Sequence, residues 1–184
     1  MTISRPVLRI AFHAVLAAGV ALVIAACATS PQQQPLRLMP SVDIPRYMGD
    51  WYVIGVIPTF IEKDALNAVE HYDLAADGTI KITYSYFKGG FDGERKTLRS
   101  KGFVRGGNGA IWGVQFMWPF EADYRILHVT PAYDAVVVGR EKRDNVWIMS
   151  RRPTMADADY QRLVALVASQ GYDTSKLVRS PQRW

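Results

Sequence analysis

The sequence is poor in the residue types on which most catalytic and metal sites depend. It contains one cysteine, Cys27, and three histidines among 184 residues. A single cysteine has no disulfide partner within the chain, and no histidine–cysteine cluster has the spacing of a metal site. No glycine-rich phosphate-binding motif precedes a helical pattern. These absences argue against metal-dependent and nucleotide-dependent catalysis, and we expect neither a metal nor a cofactor.

Charge of one sign is not concentrated anywhere along the chain. The sequence has 22 lysine and arginine residues against 17 aspartate and glutamate residues, a formal net charge of +5. Arg5 and Arg9 account for two of these charges, so the chain after residue 26 has a net charge of +3. The absence of a block of like charges disfavours a nucleic-acid partner. The balance supports at most a mild attraction to an anionic membrane surface.

The N-terminal region has the pattern of a secretory signal. Arg5 and Arg9 precede a run of 17 residues, from 10 to 26, that is apolar apart from His13. A basic start, an apolar core and small residues before a break are typical of a signal peptide. The run is shorter than the roughly 20 apolar residues that a spanning helix needs. An uncleaved anchor is the alternative.

The end of that run, Ile24-Ala25-Ala26-Cys27, resembles the lipobox of bacterial lipoproteins. In those proteins the signal is cut before the cysteine, and the cysteine is acylated. The resemblance therefore implies a signal peptide over 1–26 and a lipid anchor on Cys27, which makes the membrane a partner; a small buried cysteine is the alternative. Residue 28 is alanine and not the aspartate that retains many such proteins at the inner membrane. We therefore expect the periplasmic face of the outer membrane.

Two further segments follow the signal. Residues 27–41 are predicted to be the lipidated cysteine and a flexible tether, because residues 28–40 contain three prolines and three glutamines and no apolar period. Residues 42–184 are predicted to form one domain, since this length is enough to bury a sizeable core.

Short apolar runs separated by turn residues predict that this domain is all-β. Asp77-Gly78, for example, is a strong hairpin signal between two such runs. Consecutive strands with short turns favour an eight-stranded up-and-down antiparallel barrel, which has no open edge. Strand order alone does not distinguish this barrel from a sandwich. The predicted strands span 51–57, 69–74, 79–87, 95–104, 111–118, 124–129, 135–140 and 146–150.

One helix is predicted after the eighth strand. Its N-cap is expected at Thr154 and its end at Gly171, and apolar residues recur at helical spacing between them. We expect this C-terminal helix to pack outside the barrel. A short strand over 176–178 should follow, and residues 180–184 are expected to be loose.

Two segments resemble the signatures of the lipocalin family, most closely its bacterial outer-membrane lipoprotein branch and apolipoprotein D. The first is Gly49-Asp50-Trp51-Tyr52 together with the seven residues before it, and the second is the run 146–154. The resemblance covers residues 42 to about 179 and implies the barrel described above. One departure is Thr130-Pro131-Ala132-Tyr133, where lipocalins usually carry Thr-Asp-Tyr. This departure concerns the hydrogen bonding at the closed end of the barrel and not the fold.

The resemblance assigns structural roles to three residues, Gly49, Trp51 and Arg151. Trp51 is expected at the closed base of the barrel, with the Arg151 guanidinium lying over its ring. An ordinary surface arginine is the alternative for Arg151. Gly55 is the position where the first strand could bend, as this strand does in the family.

Strand alternation, with its phase set by the resemblance, predicts which residues face the inside of the barrel. Glu70, Leu74, Trp118 and His128 also fall on inward faces, whereas His71 points outward. Aromatic and aliphatic residues of this kind line apolar ligand pockets, although some of them could simply fill a small barrel. The predicted ligand-binding residues are Tyr72, Ile82, Tyr84, Phe116, Tyr124, Trp147 and Met149.

The function that the resemblance implies is that of a membrane-anchored lipocalin. It would bind, store or carry a small hydrophobic ligand of the fatty-acid or lysophospholipid class. The alternatives are a structural envelope lipoprotein with a filled barrel and a lipocalin-type enzyme. We expect no enzyme and no catalytic residue, because acylation of Cys27 leaves no thiol nucleophile. A homodimer is compatible with the sequence.

Overall fold

The structure is a computed structural model and describes residues 33–184. The predicted signal peptide over 1–26 and the predicted lipid anchor Cys27 lie outside the described residues. No helix within residues 33–184 is both long enough and apolar enough to cross a membrane.

The described chain consists of nine strands and three helical segments in the following order. The elements are α1 (Ile44–Tyr47), β1 (Gly49–Ile57), β2 (Ala65–Leu74), β3 (Ile80–Lys88), β4 (Glu94–Arg105), β5 (Ile111–Met117), β6 (Phe120–Val129), β7 (Ala135–Gly139), β8 (Val146–Ser150), α2 (Asp157–Ser169), a 3₁₀ turn (Thr174–Lys176) and β9 (Val178–Arg179).

Strands β1 to β8 form a closed antiparallel barrel. Each strand pairs with the next one in sequence, and β1 pairs with both β8 and β2, which closes the sheet. The predicted eight-stranded meander is therefore confirmed, and the sandwich is excluded. Closure satisfies backbone groups that an open sheet would expose at its edges.

The end of the barrel at which β1 begins is the closed end, and the end at which β1 finishes is the open end. Helix α1 lies at the closed end, with the β2–β3, β4–β5 and β6–β7 turns. The β1–β2, β3–β4, β5–β6 and β7–β8 loops lie at the open end, because antiparallel strands alternate in direction.

Gly55 marks an irregularity in β1. The register of β1 against β8 shifts between Val53 and Gly55, in the manner of a β-bulge. A Cβ atom at position 55 would lie 2.7 Å from the Tyr160 ring of α2. The glycine therefore has a second role that the bend alone does not suggest, since it lets the helix pack closely on the strand.

The side chains form two cores, one inside the barrel and one under α2. The inner core includes Trp51, Tyr72 and Ile126, and the core under α2 includes Ile148 and Leu163. The helix therefore packs on the outer face of the barrel, as predicted.

The predicted helix start was wrong. The N-cap is Ala156, which makes no side-chain capping bond, and not Thr154. Asp157 and Asp159 lie in the first turn and interact favourably with the helix dipole instead. The predicted end is correct, because Gly171 follows the helix with a φ of 85°.

Residues 180–184 are not loose, and the short strand lies at Val178–Arg179 instead of 176–178. Strand β1 pairs with β2 only from Gly49 to Tyr52. Beyond that point the C-terminal segment lies along the β1–β2 seam and bonds to both strands. The Ser180 N–H donates to the Ile54 carbonyl (3.0 Å), and the Gln182 amide donates to the carbonyls of Val53 (2.8 Å) and Ala68 (3.0 Å). The segment is ordered because the seam leaves backbone groups that need partners.

Candidate ligand-binding site

The closed end is held by Arg151 and Trp51. The guanidinium carbon of Arg151 lies 3.9 Å from the centre of the Trp51 ring, within the range of a cation–π contact. The same guanidinium donates to the carbonyls of Asp50 (2.8 Å) and Arg46 (2.8 Å), which ties β8 to β1 and α1. Gly49 has a φ of 94°, and a Cβ there would lie 3.3 Å from Arg151 Nη1. The three signature residues thus form one local arrangement.

The unusual β6–β7 turn is hydrogen-bonded despite its proline. Thr130 Oγ1 accepts bonds from the backbone N–H groups of Asp134 (3.1 Å) and Ala135 (3.1 Å). The Tyr133 hydroxyl accepts a bond from the Asp43 N–H (2.8 Å), and the Arg46 guanidinium lies over the Tyr133 ring at 4.1 Å. The departure from Thr-Asp-Tyr therefore does not leave the closed end without hydrogen bonds.

A cavity of about 360 Å³ occupies the barrel between the inner core and the open end. Its wall is mainly apolar and aromatic and includes Ile61, Leu98 and Val114. All seven residues predicted from strand alternation lie on this wall, namely Tyr72, Ile82, Tyr84, Phe116, Tyr124, Trp147 and Met149.

Three other residues predicted to face inward do not line the cavity. Leu74 and Trp118 lie at strand ends and are 41% and 80% exposed. The β6–β7 register shifts between Ile126 and His128, so that His128 pairs with Val137, whose side chain belongs to the core under α2. Paired residues share a face of the sheet. His128 is therefore on the outer face, and the bulge that moves it has no signal in the sequence.

A chain of hydroxyl groups crosses the floor of the cavity and ends at a carboxylate. The hydroxyl of Tyr124 lies 2.7 Å from that of Tyr47 and 2.8 Å from that of Tyr72, and Tyr72 donates to Glu70 Oε2 at 2.5 Å. Burial, together with the charge of nearby Glu62, raises the pKa of Glu70 to about 7, although the hydrogen bond from Tyr72 acts in the opposite direction. Burial also raises the pKa values of the three phenols, so they stay neutral and can donate hydrogen bonds. Strand alternation placed Glu70 inward, but it had no means of including Tyr47, which precedes the first strand.

A second carboxylate lies nearer the open end. Glu62, in the β1–β2 loop, accepts a bond from the Trp147 indole N–H at 2.6 Å and from the Thr59 N–H at 2.9 Å. The indole is thereby held against the cavity wall. The sequence carries no signal for Glu62, because loop residues have no strand phase from which an orientation could be inferred.

The remaining charged groups of the wall are paired with one another or with neighbours. Asp123 accepts bonds from Arg125 Nε (3.0 Å) and the Glu141 N–H (2.7 Å). Arg140 donates to Asn145 (2.9 Å), and its Nε is buried without a hydrogen-bond partner. With Glu62, Glu70 and Asp123 against Arg140, the wall has more carboxyl groups than cations.

The arrangement is suited to binding apolar molecules. Among residues 33–184, no group of three or more histidine, cysteine or acidic residues could hold a metal ion. His71 lies on the outside, as predicted, where Nδ1 contacts Asp50 at 2.6 Å. The site therefore offers apolar surface, neutral hydroxyl groups and three carboxyl groups that accept hydrogen bonds.

Comparison with known proteins gives one family over most of the chain. The protein-family model described as the lipocalin-like domain matches residues 42–182. Temperature-induced lipocalin-1 of Arabidopsis thaliana is 28% identical over 167 residues, which cover 82% of this chain and 85% of the relative. The outer membrane lipoprotein Blc of Citrobacter freundii is 26% identical over 164 residues, which cover 89% of this chain and 93% of that relative.

Solved structures agree on the fold. Lobster apocrustacyanin A1 superposes with a TM-score of 0.61 at 17% identity, over 85% of this chain and 94% of that one. Insecticyanin of the tobacco hornworm Manduca sexta superposes with a TM-score of 0.62 at 12% identity, over 83% of this chain and 85% of that one.

Proposed function

The chain belongs to the lipocalin family, whose members bind small hydrophobic ligands, and we propose that its ligand is a single-chain lipid, a fatty acid or a lysophospholipid. The observation that carries this proposal is the apolar cavity of about 360 Å³, which lies within the size range of pockets for small molecules. A purely structural barrel would fill this space with side chains. We further propose a role in binding, storage or carriage and not in catalysis, in keeping with the family.

The charges on the wall support a direction for the bound lipid. The floor carries Glu70 within a desolvated group of tyrosines. A ligand carboxylate placed there would bring two acidic groups together in a low dielectric, which disfavours the charged form of both. The methyl end of an acyl chain meets no such penalty. The lipid would therefore enter tail first and leave its headgroup at the open end.

We also propose that the protein is anchored through Cys27 on the periplasmic face of the outer membrane. The sequence Ile24-Ala25-Ala26-Cys27 supports the anchor, and relatives named outer membrane lipoprotein Blc support the membrane. A neighbouring membrane would also supply single-chain lipids.

Displacement of a neutral fluorescent probe, N-phenyl-1-naphthylamine, by palmitate and by lysophosphatidylethanolamine tests the ligand class. Trp147 lies on the cavity wall about 13 Å along β8 from Arg151, given the rise per strand residue. Truncating an apolar contact of this size costs a few kcal/mol, so Trp147→Ala should weaken lipid binding on the order of a hundredfold.

Trp184→Ala is the matched control, because Trp184 packs on Tyr52 and is absent from the cavity wall. It should bind both lipids like the parent. If neither lipid displaces the probe from the parent protein, the barrel has a structural role and the proposed function is wrong. Equal binding by the parent and Trp147→Ala would place the lipid elsewhere.

A further inference from the structure

The open end of the barrel has an exposed apolar surface, which we call the rim patch. It consists of Phe60, Phe116, Met117, Trp118 and Phe120, which are 85%, 59%, 71%, 80% and 74% exposed. These are five of the eight large hydrophobic side chains that are exposed among residues 33–184. A concentration of large exposed apolar side chains at one end of a molecule marks a site of interaction with a protein or a membrane.

The geometry of a turn does not explain why the β5–β6 turn is apolar. Residues 116–120 read Phe-Met-Trp-Pro-Phe and include no charge. Of the residue types that dominate turns, namely Gly, Pro, Asn, Asp and Ser, the segment contains only Pro119. The closed-end turns of the same barrel follow that rule, with Asp77-Gly78 after β2 and Gly106-Gly107-Asn108-Gly109 after β4. The nearest acid, Glu121, is directed to Arg105 at 2.7 Å and leaves the tip uncharged.

The rim patch adjoins the entrance of the cavity. Phe60 and Phe116 are exposed and also line the cavity, so they belong to both surfaces. A molecule that leaves the cavity through the open end therefore passes along the patch. Whatever covers the patch also faces the entrance.

The segment that precedes the barrel joins the domain at the open end. The Arg37 N–H donates to Gln170 Oε1 at 3.0 Å, and the Gln170 amide donates to the Arg37 carbonyl at 3.1 Å. The Gln170 carbonyl accepts a bond from Arg143 Nε at 2.6 Å, and Arg143 lies in the β7–β8 loop of the open end. Further along, the Val42 N–H donates to Asn108 at the closed end. The segment thus runs from the open end to the closed end.

The distance from this point to the proposed anchor is short. Cys27 precedes Arg37 by ten residues, and a fully extended chain spans at most 3.6 Å per residue, or about 36 Å in total. An acyl chain on Cys27 would therefore hold the open end within this distance of the membrane surface.

We propose that the rim patch docks on the lipid surface of the membrane, with the cavity entrance facing the bilayer. This inference rests on the proposed acylation of Cys27. Tryptophan and other large aromatic residues favour the membrane interface, and the apolar tip would be buried there among lipid chains. A tail-first lipid could then pass between bilayer and barrel while its headgroup stays in the interface. A second copy of the chain is the less suitable occupant, because it would close the entrance of both cavities.

Quenching of tryptophan fluorescence by brominated lipid tests the docking. The protein used is residues 27–184 with Cys27 acylated. It is reconstituted in vesicles of phosphatidylethanolamine and phosphatidylglycerol whose acyl chains carry bromine near the headgroup. Docking predicts strong bromine-dependent quenching in the parent, most of which is lost in Trp118→Phe because this variant removes the reporter. Trp184→Phe, which removes another exposed indole, should keep the quenching.

A charged variant tests the docking itself. Met117→Glu places a charge on the patch and should abolish most of the bromine-dependent quenching of Trp118. Leu74→Glu is the matched control, because Leu74 is an exposed apolar residue at the closed end. In Leu74→Glu, bromine should quench the fluorescence of Trp118 as strongly as in the parent.

Vesicle flotation separates the two proposals. A protein that floats with the vesicles but shows no bromine-dependent quenching of Trp118 is anchored but not docked, which overturns this inference alone. A protein that does not float overturns both the anchor and the docking. If Trp118 is shielded from aqueous acrylamide but not quenched by bromine, and the protein sediments as a dimer, a second copy covers the patch and the inference is wrong.

Discussion

Glu70 is the residue whose environment differs most from that of an ordinary surface carboxyl group. Its side chain lies against the hydroxyl of Tyr72 on the cavity floor, and burial raises its pKa from 4.5 to about 7. Between these two values the folded domain keeps a proton that the unfolded chain has released. Proton linkage then fixes the sign, and the free energy of unfolding falls as pH rises through this window.

The substitution Glu70→Gln should remove this decrease of the free energy of unfolding with rising pH. The shift corresponds to roughly 3 kcal/mol of stability lost between pH 4.5 and about pH 7, so the variant should be more stable than the parent above this window. Urea unfolding at a series of pH values measures the difference between the two proteins. Glu94→Gln, an exposed carboxyl group, should follow the parent. A parent-like slope in Glu70→Gln would show that Glu70 titrates normally.

Arg151 should contribute to stability more than to ligand binding. Arg151→Ala loses the contact with Trp51 and the bonds to Asp50 and Arg46, which should lower the free energy of unfolding by about 1–3 kcal/mol. Lipid affinity should change less, because the cavity lies nearer the open end of the barrel than Arg151 and Trp51 do. Thermal melting compares the variant with Arg152→Ala, the exposed neighbour. Melting of Arg151→Ala at the parent temperature would contradict the structural role.

At the scale of elements, the C-terminal segment behaves as part of the barrel wall. Asn67 in β2 bonds to Arg183 in both directions at 2.7 Å, and its N–H donates to the Pro181 carbonyl at 2.9 Å. The Gln182 amide reaches β1 and β2 at once. The segment therefore covers backbone groups that the short β1–β2 ladder leaves unpaired.

Removal of residues 180–184 should destabilise the domain far more than its polar sequence suggests. Six hydrogen bonds to β1 and β2 are lost, and at about 1 kcal/mol each, partly compensated by water, the expected loss is about 2–5 kcal/mol. Urea unfolding measures it, and Trp184→Ala alone serves as the control for the last side chain. A truncated domain as stable as the parent would mean that the seam is closed without the segment.

Local patterns predicted the strands because each strand and turn is encoded by neighbouring residues. Alternation along β2, β3 and β8 likewise placed Tyr72, Tyr84 and Trp147 on the cavity wall. The sequence pattern gave wrong predictions where contacts between residues far apart in the sequence determine the structure. His128 is turned outward by a bulge in the pairing with β7, and residues 180–184 are ordered by partners more than a hundred residues away.

At the scale of the whole molecule, the barrel has two ends with different chemistry. The closed end carries polar turns, α1 and the Arg151 contacts, whereas the open end carries the rim patch and the entrance. The proposed anchor and docking surface would act on the same end. This difference between the two ends is what the proposed exchange of lipid with an adjacent bilayer requires.

Cys27→Ala tests the anchor. Loss of the thiol removes the site of acylation, so the protein should leave the membrane fraction and fail to incorporate labelled palmitate in growing cells. Because Cys27 lies outside the domain of residues 42–182, the folding and lipid binding of the variant should be unchanged. Retention in the membrane fraction would argue for an uncleaved N-terminal helix instead.

The partners of β1 have a consequence for the timing of folding. Val53 is synthesised 96 residues before its β8 partner Met149 and 129 residues before Gln182, whose amide bonds to it. Until those residues emerge, the strand has only β2 on one side and no neighbour on the other. Long-range pairing of this kind is slow to form, and a nascent chain with an unpaired first strand can aggregate. In a polypeptide threaded through a membrane from its N-terminus, β1 would therefore lack these partners until residue 182 has crossed.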